Sequence, residues 1–379
     1  MKNKNGKIGL IILGIIIFVS SIGIFLSQMS KSSTPKEKDV TYVYGAVGGG
    51  KENFMADKEI NQILLDKYNI VVVPHDWSNG KLITEELTYE LNAQQKYYDF
   101  VFFSDERFYE YYKTPAKENE AARLKILDSS IALNTPVVIY SWKDIATVLE
   151  TENIVTQKDG VYYITDMNKL LNYITEGVSW SDIGLAEIYG KVNIASTDPV
   201  TSSPGATYYG LLASIMNAGS IDINNIDNVM ERLNAFYKYS GFMNNTPADL
   251  FDLYLRMGKG AYPMIVDYEK SVIDFANNNP NGFEQVKDKM VILYPEPTIW
   301  NSHCIMSFSE AGNQYVDALN DPEIQKIAWE KYGFRTGVTG GEYDVESIEV
   351  TGIPQEITSV TKSLRKDVYD YIINYLRNN

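Results

Sequence analysis

The sequence of 379 residues contains one cysteine, Cys304, and two histidines, His75 and His303. A single thiol excludes an internal disulfide framework and any cysteine-rich zinc or iron–sulfur site. Two imidazoles leave little material for a histidine-built metal cage or proton relay. Positive charge is scarce as well: 34 Lys and Arg stand against 49 Asp and Glu, a formal net charge of −15. That balance argues against a nucleic-acid partner, which requires a basic footprint for phosphate. The nucleophile elbow G-x-S-x-G and the zinc-protease helix H-E-x-x-H are both missing. His303 and Cys304 are neighbours, so in a strand their side chains point to opposite faces and cannot pair. No enzyme and no cofactor is therefore expected, with a carboxylate-based hydrolase as the remote alternative. At 45% hydrophobic and 22% charged residues, the composition excludes disordered, collagen-like and multi-span membrane classes.

What is present begins at the amino terminus. Lys2, Lys4 and Lys7 precede an uncharged apolar run over residues 8–26. At about 1.5 Å per residue that run is long enough to cross a hydrocarbon core of roughly 30 Å. Lysines at its start place that end in the cytoplasm and everything after residue 30 outside the cell membrane. No A-x-A cleavage pattern is present, so residues 1–30 read as an uncleaved signal anchor, with secretion after cleavage as the alternative. The polar, proline-containing residues 31–39 read as a linker.

Beyond it, strand-like and helix-like periods alternate, which predicts an α/β fold with a largely parallel sheet. Strands are expected over 40–47, 70–73, 100–103, 136–142, 192–196, 261–266 and 290–294. A hairpin is expected over 154–156 and 161–165, around the turn pair Asp159-Gly160. Helices are expected over 81–96, from Asp321-Pro322, and over 364–377. The segments 136–142 and 289–297 look alike and bracket a self-contained block. Two such crossings make a two-lobed body hinged at a pair of strands. Residues 40–136 with 298–379 then form lobe 1, and residues 137–297 form lobe 2.

Chemistry is sought at the carboxyl ends of strands, where ligands of open α/β sheets sit. Residues 45–51, GAVGGGK, formally match a phosphate loop, but Glu52 stands where a magnesium-binding hydroxyl is needed. The better reading is a tight turn in which Gly48, Gly49 and Gly50 offer backbone amides to a small anion or carboxylate. Residues 197–207, TDPVTSSPGAT, are more informative. Ser203 is expected as the helix N-cap, Pro204 as the first helical residue, and Gly205 as the point where a ligand approaches the backbone. With Ser202 and Thr207 they gather hydroxyls and amides at a positive helix end. Ser104, Tyr268 and Glu269 occupy equivalent strand ends, where a carboxylate meets a cationic group and Tyr268 stacks or donates a hydrogen bond.

The segments SSPGATYYGLLASIMNAG (202–219), AYPMIVDYE (261–269), VILYPEPT (291–298), EIQKIAWEKYGFR (323–335) and TGIPQEI (351–357) together resemble one family. It is the type 2 periplasmic, or extracellular, solute-binding protein family, the receptors of ABC-type importers, and the resemblance spans about residues 40–355. Within that family the sequence is most similar to the sulfate-, molybdate- and tungstate-binding branch. The resemblance implies two α/β lobes that close over a small-molecule or ion ligand, an oxyanion in that branch, and an ABC transporter permease as partner. It implies that Ser202, Ser203, Gly205 and Thr207 form the second-lobe ligand loop, that Gly48, Gly49 and Gly50 form the first-lobe loop, and that Tyr268 and Glu269 lie near the cleft. The sequence departs from the family in lacking a lipid-carrying cysteine and a serine in the first loop. The same fold acting as a sensor or scaffold through protein contacts is the alternative.

Overall fold

The computed structural model describes residues 40–78, 98–113, 125–241, 243–244, 246–337 and 343–379. The expected anchor, linker and helix over 81–96 lie outside the described residues. Among those described, no helix is long and apolar enough to cross a membrane.

The β-branched and aromatic run after Val40 forms β1 (Thr41–Gly48), which pairs in parallel with β2 (Ile70–Ser78) and β3 (Phe100–Phe102). Between them lie α1 (Glu52–Met55) and α2 (Lys58–Tyr68). After α3 (Arg107–Lys113) comes β4 (Asp128–Trp142), a strand of 15 residues that belongs to two ladders. Its first part, Asp128 to Pro136, pairs antiparallel with β9 (Thr298–Ser307), which in turn pairs with β3. Its second part pairs on one side with β7 (Met264–Tyr268) and on the other with β8 (Met290–Pro295). Pro136 has no N–H to give to either ladder, and the partners change there. The hairpin β5 (Val155–Lys158) and β6 (Val161–Ile164) extends the second ladder, its turn made by Asp159 and Gly160 at φ 51° and 80°. The chain returns from β8 to β9 across the cis peptide Glu296–Pro297. The chain thus passes between the two ladders within β4 and again from β8 to β9, in a sheet that is mixed rather than largely parallel.

Two apolar clusters follow this division. One surrounds β1, β3 and the flanking helices α2, α11 (Glu310–Leu319) and α12 (Pro322–Tyr332). The larger surrounds the second part of β4, β7 and β8, with α4 (Lys143–Thr151), α5 (Met167–Glu176), α6 (Ser203–Met216), α7 (Asp227–Ser240), α8 (Pro247–Met257) and α9 (Lys270–Asn278). After α10 (Pro280–Val286) and the short strands β10 (Arg335–Thr336) and β11 (Val360–Thr361), the chain ends in α13 (Lys366–Asn378). The sequence reading groups residues 298–379 with the first lobe. The apolar stripe of α13, Val368, Tyr369, Ile372 and Leu376, lies in the larger cluster instead, against α6 and α7.

The first half is braced by two helices of related sequence. α2 with its cap reads D-x-E-I from Asp57 and ends in Lys67-Tyr68; α12 reads the same from Asp321 and ends in Lys331-Tyr332. Asp57 caps α2 through the amides of Glu59 and Ile60, while its second oxygen accepts Lys331 Nζ at 3.0 Å and the Tyr332 hydroxyl at 2.7 Å. Asp321 caps α12 through Glu323 N, while its second oxygen accepts Lys67 Nζ at 3.0 Å and the Tyr68 hydroxyl at 2.8 Å. Each helix thus uses the last turn of the other to complete its first. Asp57→Ala and Asp321→Ala should each cost about 1 kcal/mol, the usual worth of an N-cap, in urea unfolding. Burial raises both carboxyl pKa values, but the tyrosine, lysine and backbone hydrogen bonds outweigh it and leave both below the ordinary range. Their contribution is therefore complete above about pH 4 and is lost as pH falls through the folded values, so each variant should flatten the acid limb of the stability curve.

Candidate functional site

At the carboxyl end of β1, a Cβ on Gly48 would lie 2.9 Å from Ser104 N and 3.2 Å from its Oγ. Glycine there lets the ends of β1 and β3 abut. Gly49 and Gly50 stay partly or fully exposed, Gly50 at φ 81°, and lead into α1, which has only four residues. Lys51 turns inward. It is 1% exposed, donates to Phe103 O at 3.2 Å, and lies 3.1 Å from His303 Nδ1. Burial, offset in part by Glu52, lowers its pKa to about 7, and burial and Lys51 together hold His303 well below its ordinary value. A lysine enclosed in this way cannot reach a phosphate.

The second loop differs from expectation by one residue. Ser202 is the N-cap of α6, Ser203 is the first helical residue, and Pro204 follows it in the first turn. The Ser202 hydroxyl donates to Thr197 Oγ1 at 2.9 Å rather than to a helix amide. A Cβ on Gly205 would come within 2.3 Å of Thr197 O, so the close approach that requires glycine is made by the protein's own loop. The strand expected over 192–196 shrinks to the single bridge Ala195–Ile265, because the chain turns at Asp198, whose carbonyl accepts Thr201 N and Ser202 N.

The two halves meet over this helix start. Asp105, in the turn after β3, and Arg107, the first residue of α3, are both buried. Arg107 Nε donates to both Asp105 oxygens at 3.0 and 2.9 Å. Arg107 Nη2 donates to Asp105 Oδ2 at 2.5 Å and, on α6, to Ser203 Oγ at 2.8 Å and Ser203 O at 3.1 Å. Thr207 Oγ1 donates to Asp105 Oδ2 at 3.2 Å. The guanidinium carbon lies 4.2 Å from the centre of the Tyr369 ring, a cation–π contact from α13. The strand-end pair Ser104-Asp105 and the helix-start residues Ser203 and Thr207 are expected from the sequence; Arg107, which joins Asp105 to Ser203, is not. The only signal was the polar run SDER directly after a buried strand.

β7 supplies the remaining wall. Asp267 and Tyr268 line a recess with Val137, Ser196, Thr197, Pro204, Gly205 and Val266. Burial, then the charge of Asp105, raises the Tyr268 hydroxyl pKa well above its ordinary value, partly opposed by Arg107. Glu269 turns away from the recess. Fully buried, it accepts Arg335 Nε at 2.6 Å, Arg335 Nη2 at 2.8 Å and the Tyr294 hydroxyl at 2.7 Å. The structure thus gathers Ser203, Gly205, Thr207 and Tyr268 at one place, brings Asp105 beside them, and commits Glu269 to a buried ion pair.

No family model matches the sequence, and no curated protein matches it. Solved structures do match. The substrate-binding protein of an ABC transporter from Agrobacterium tumefaciens aligns with a TM-score of 0.52 at 15% identity, covering 90% of this chain and 95% of that one. Trichodesmium IdiA (FutA), in complex with iron and citrate, gives 0.57 at 13%, covering 89% and 99%. Maltose-bound MalE3 of T. maritima gives 0.55 at 11%, covering 89% and 99%. The chain has the mixed α/β fold of the periplasmic solute-binding proteins. At these identities the likeness is one of fold.

Two outcomes test the assignments at this site. Glu269→Gln should cost about 3–5 kcal/mol in denaturant unfolding, because it leaves the Arg335 guanidinium buried without its counter-charge. Between the folded Lys51 value near 7 and the unfolded value of about 10, the unfolded chain binds more protons, so stability should rise with pH. Lys51→Met should flatten that rise when urea midpoints at pH 7 and pH 9.5 are compared.

Proposed function

We propose that this protein is an extracytoplasmic solute-binding protein that closes two halves over a small ligand and presents it to an ABC-type importer. In this reading residues 1–30 anchor it in the cell membrane and residues 31–39 are the tether. The moving units are bounded by the crossings at 136–137 and 296–297. The observation that carries the proposal is the meeting of Asp105–Arg107 from one half with Ser203 and Thr207 at the first turn of α6 in the other. A polar contact across two sheets joined by strand crossings is where a guest can be held and where closure can be sensed. Closure replaces the ligand's water with hydroxyls, amides and the guanidinium, and the ligand shifts the equilibrium only by its preference for the closed form.

The similar structures hold chemically unlike ligands, iron with citrate in one and maltose in another, so the fold alone does not select a ligand. For an oxyanion, the expectation from the sequence, Arg107 and the start of α6 are suitable donors. Such a ligand competes with Asp105, which already occupies the same guanidinium.

The test is calorimetry and thermal unfolding of the full chain in detergent with sulfate, molybdate, ferric citrate, maltose, thiamine, glycerol and putrescine. One class should bind saturably and raise the melting temperature; a hundredfold excess over Kd corresponds to about 2.7 kcal/mol of stabilisation. No heat and no shift with any of them would overturn the proposal.

A further inference from the structure

Five carboxylates are buried among the described residues: Asp99, Asp105, Asp267, Glu269 and Asp321. Four of them have both oxygens engaged. Asp99 accepts Tyr44 N and the Ser309 hydroxyl, Asp105 accepts Arg107 on both oxygens, Glu269 accepts Arg335 on both, and Asp321 accepts Glu323 N on one and Lys67 and Tyr68 on the other. Asp267 differs. Its Oδ1 accepts Tyr268 N at 2.7 Å, while Oδ2, buried, has no hydrogen-bond partner, the neighbouring Ser271 hydroxyl making no bond of ordinary geometry to it. A buried carboxylate oxygen without a donor is costly, and a fold that keeps one has a use for it.

Asp267 lines the recess already described, with Gly205 and Tyr268 under the start of α6, and the cavity volume there is about 10 Å³. That is room for about one water-sized group. We infer that the ligand of the proposed solute-binding site inserts a primary ammonium group into this recess, with Asp267 as its acceptor. The inference rests on the solute-binding reading and narrows it to amine-bearing solutes. Size favours a primary ammonium over a quaternary one, and only the primary group has N–H donors to give to Asp267. A metal ion needs several ligands, and among the described residues no group of three His, Cys, Asp or Glu could hold one.

The surroundings of Asp267 fit this role. Tyr140 on β4, Tyr268 on its own strand, and Lys270 and Ser271 at the start of α9 stand around it, with the Asp105–Arg107 pair beyond Tyr268. Burial raises its pKa to about 6 against the opposing Tyr268 amide, Ser271 hydroxyl and Lys270 charge. The acceptor is therefore charged at pH 7.5 and largely protonated at pH 5.

The experiment measures binding of methylammonium, ethanolamine and putrescine to the full chain in detergent, against tetramethylammonium, glycerol and sulfate. At least one primary amine should bind saturably, tetramethylammonium should not, and Asp267→Asn should weaken the amine at least tenfold while keeping cooperative unfolding. In the unaltered protein, amine affinity should fall at least fivefold from pH 7.5 to pH 5, a readout that stands even if the variant does not fold. Equal amine affinity in Asp267→Asn, or no loss at pH 5, would overturn the inference and leave the recess as the seat of a structural water. Saturable binding of sulfate or glycerol with no response to any amine would overturn it while preserving the solute-binding proposal. Silence toward these probes and toward the wider set of solutes above would overturn both.

Discussion

The ion pair between Arg335 and Glu269 fixes the region where the two ladders join. Both side chains are essentially fully buried, at 1% and 0% exposure, where isolated charges are prohibitively costly. The pair is tolerated because its hydrogen-bonding capacity is filled. Arg335 Nε and Nη2 hold the two Glu269 oxygens, Nη2 also donates to Pro354 O at 2.7 Å, and Nη1 donates to Gln355 O at 3.1 Å and to the Tyr343 hydroxyl. Burial pulls the guanidinium pKa down, but Glu269 overcomes it and the net shift is upward. Around this pair, Glu269 N donates to Pro136 O at the residue where β4 changes partners, and β10 pairs with β4 at Leu133 and Asn134. One saturated guanidinium therefore ties the shared strand, the start of α9, β8 and the C-terminal segment together.

This has a consequence for how the sequence is read. Four of the five segments that carried the family resemblance contribute to that one cluster: Glu269 from AYPMIVDYE, Tyr294 from VILYPEPT, Arg335 from EIQKIAWEKYGFR, and Pro354 and Gln355 from TGIPQEI. The fifth, SSPGATYYGLLASIMNAG, contributes Gly205, which accommodates the Thr197 carbonyl, and Gly210, which accommodates Tyr369. These motifs record how the halves are joined and packed. Architecture was legible for that reason, and Glu269 was taken for a ligand residue for the same reason.

Legibility follows the range of the interaction. The strands at β1, β3, β7 and β8 and the Asp159-Gly160 turn were readable because alternation, apolar runs and φ > 0 residues are local signals. The strand over 192–196 misled because its β-branched residues pack as an extended segment with one bridge, and composition does not count ladder partners. The phosphate-loop match over Gly45 to Lys51 already fails at Glu52 in the sequence, but spacing does not reveal that the Lys51 side chain folds inward toward His303, 252 residues away. Arg107 lies 96 residues from Ser203 and 262 from Tyr369, and no periodicity links positions so distant. The helix start at 203–207 could be seen from sequence; what it faces could not.

Under the proposed solute-binding function, what it faces also bears on how easily the halves would part. Asp105 and Arg107 belong to the same half, so opening leaves their ion pair intact and costs no separated charge. The contacts given up are those from Arg107 and Asp105 to Ser203 and Thr207, and the stacking of Arg107 on Tyr369. Each hydrogen bond is worth about 1 kcal/mol net because water replaces it, and a cation–π contact between two buried groups is worth about 2 kcal/mol. In that proposal a latch of a few kcal/mol would be weak enough for a ligand to tip and strong enough to register that it had done so. Had the pair been divided between the halves, opening would have exposed two unlike charges and closure would have been driven by the protein alone. Keeping both charges on one side leaves the decision to the guest.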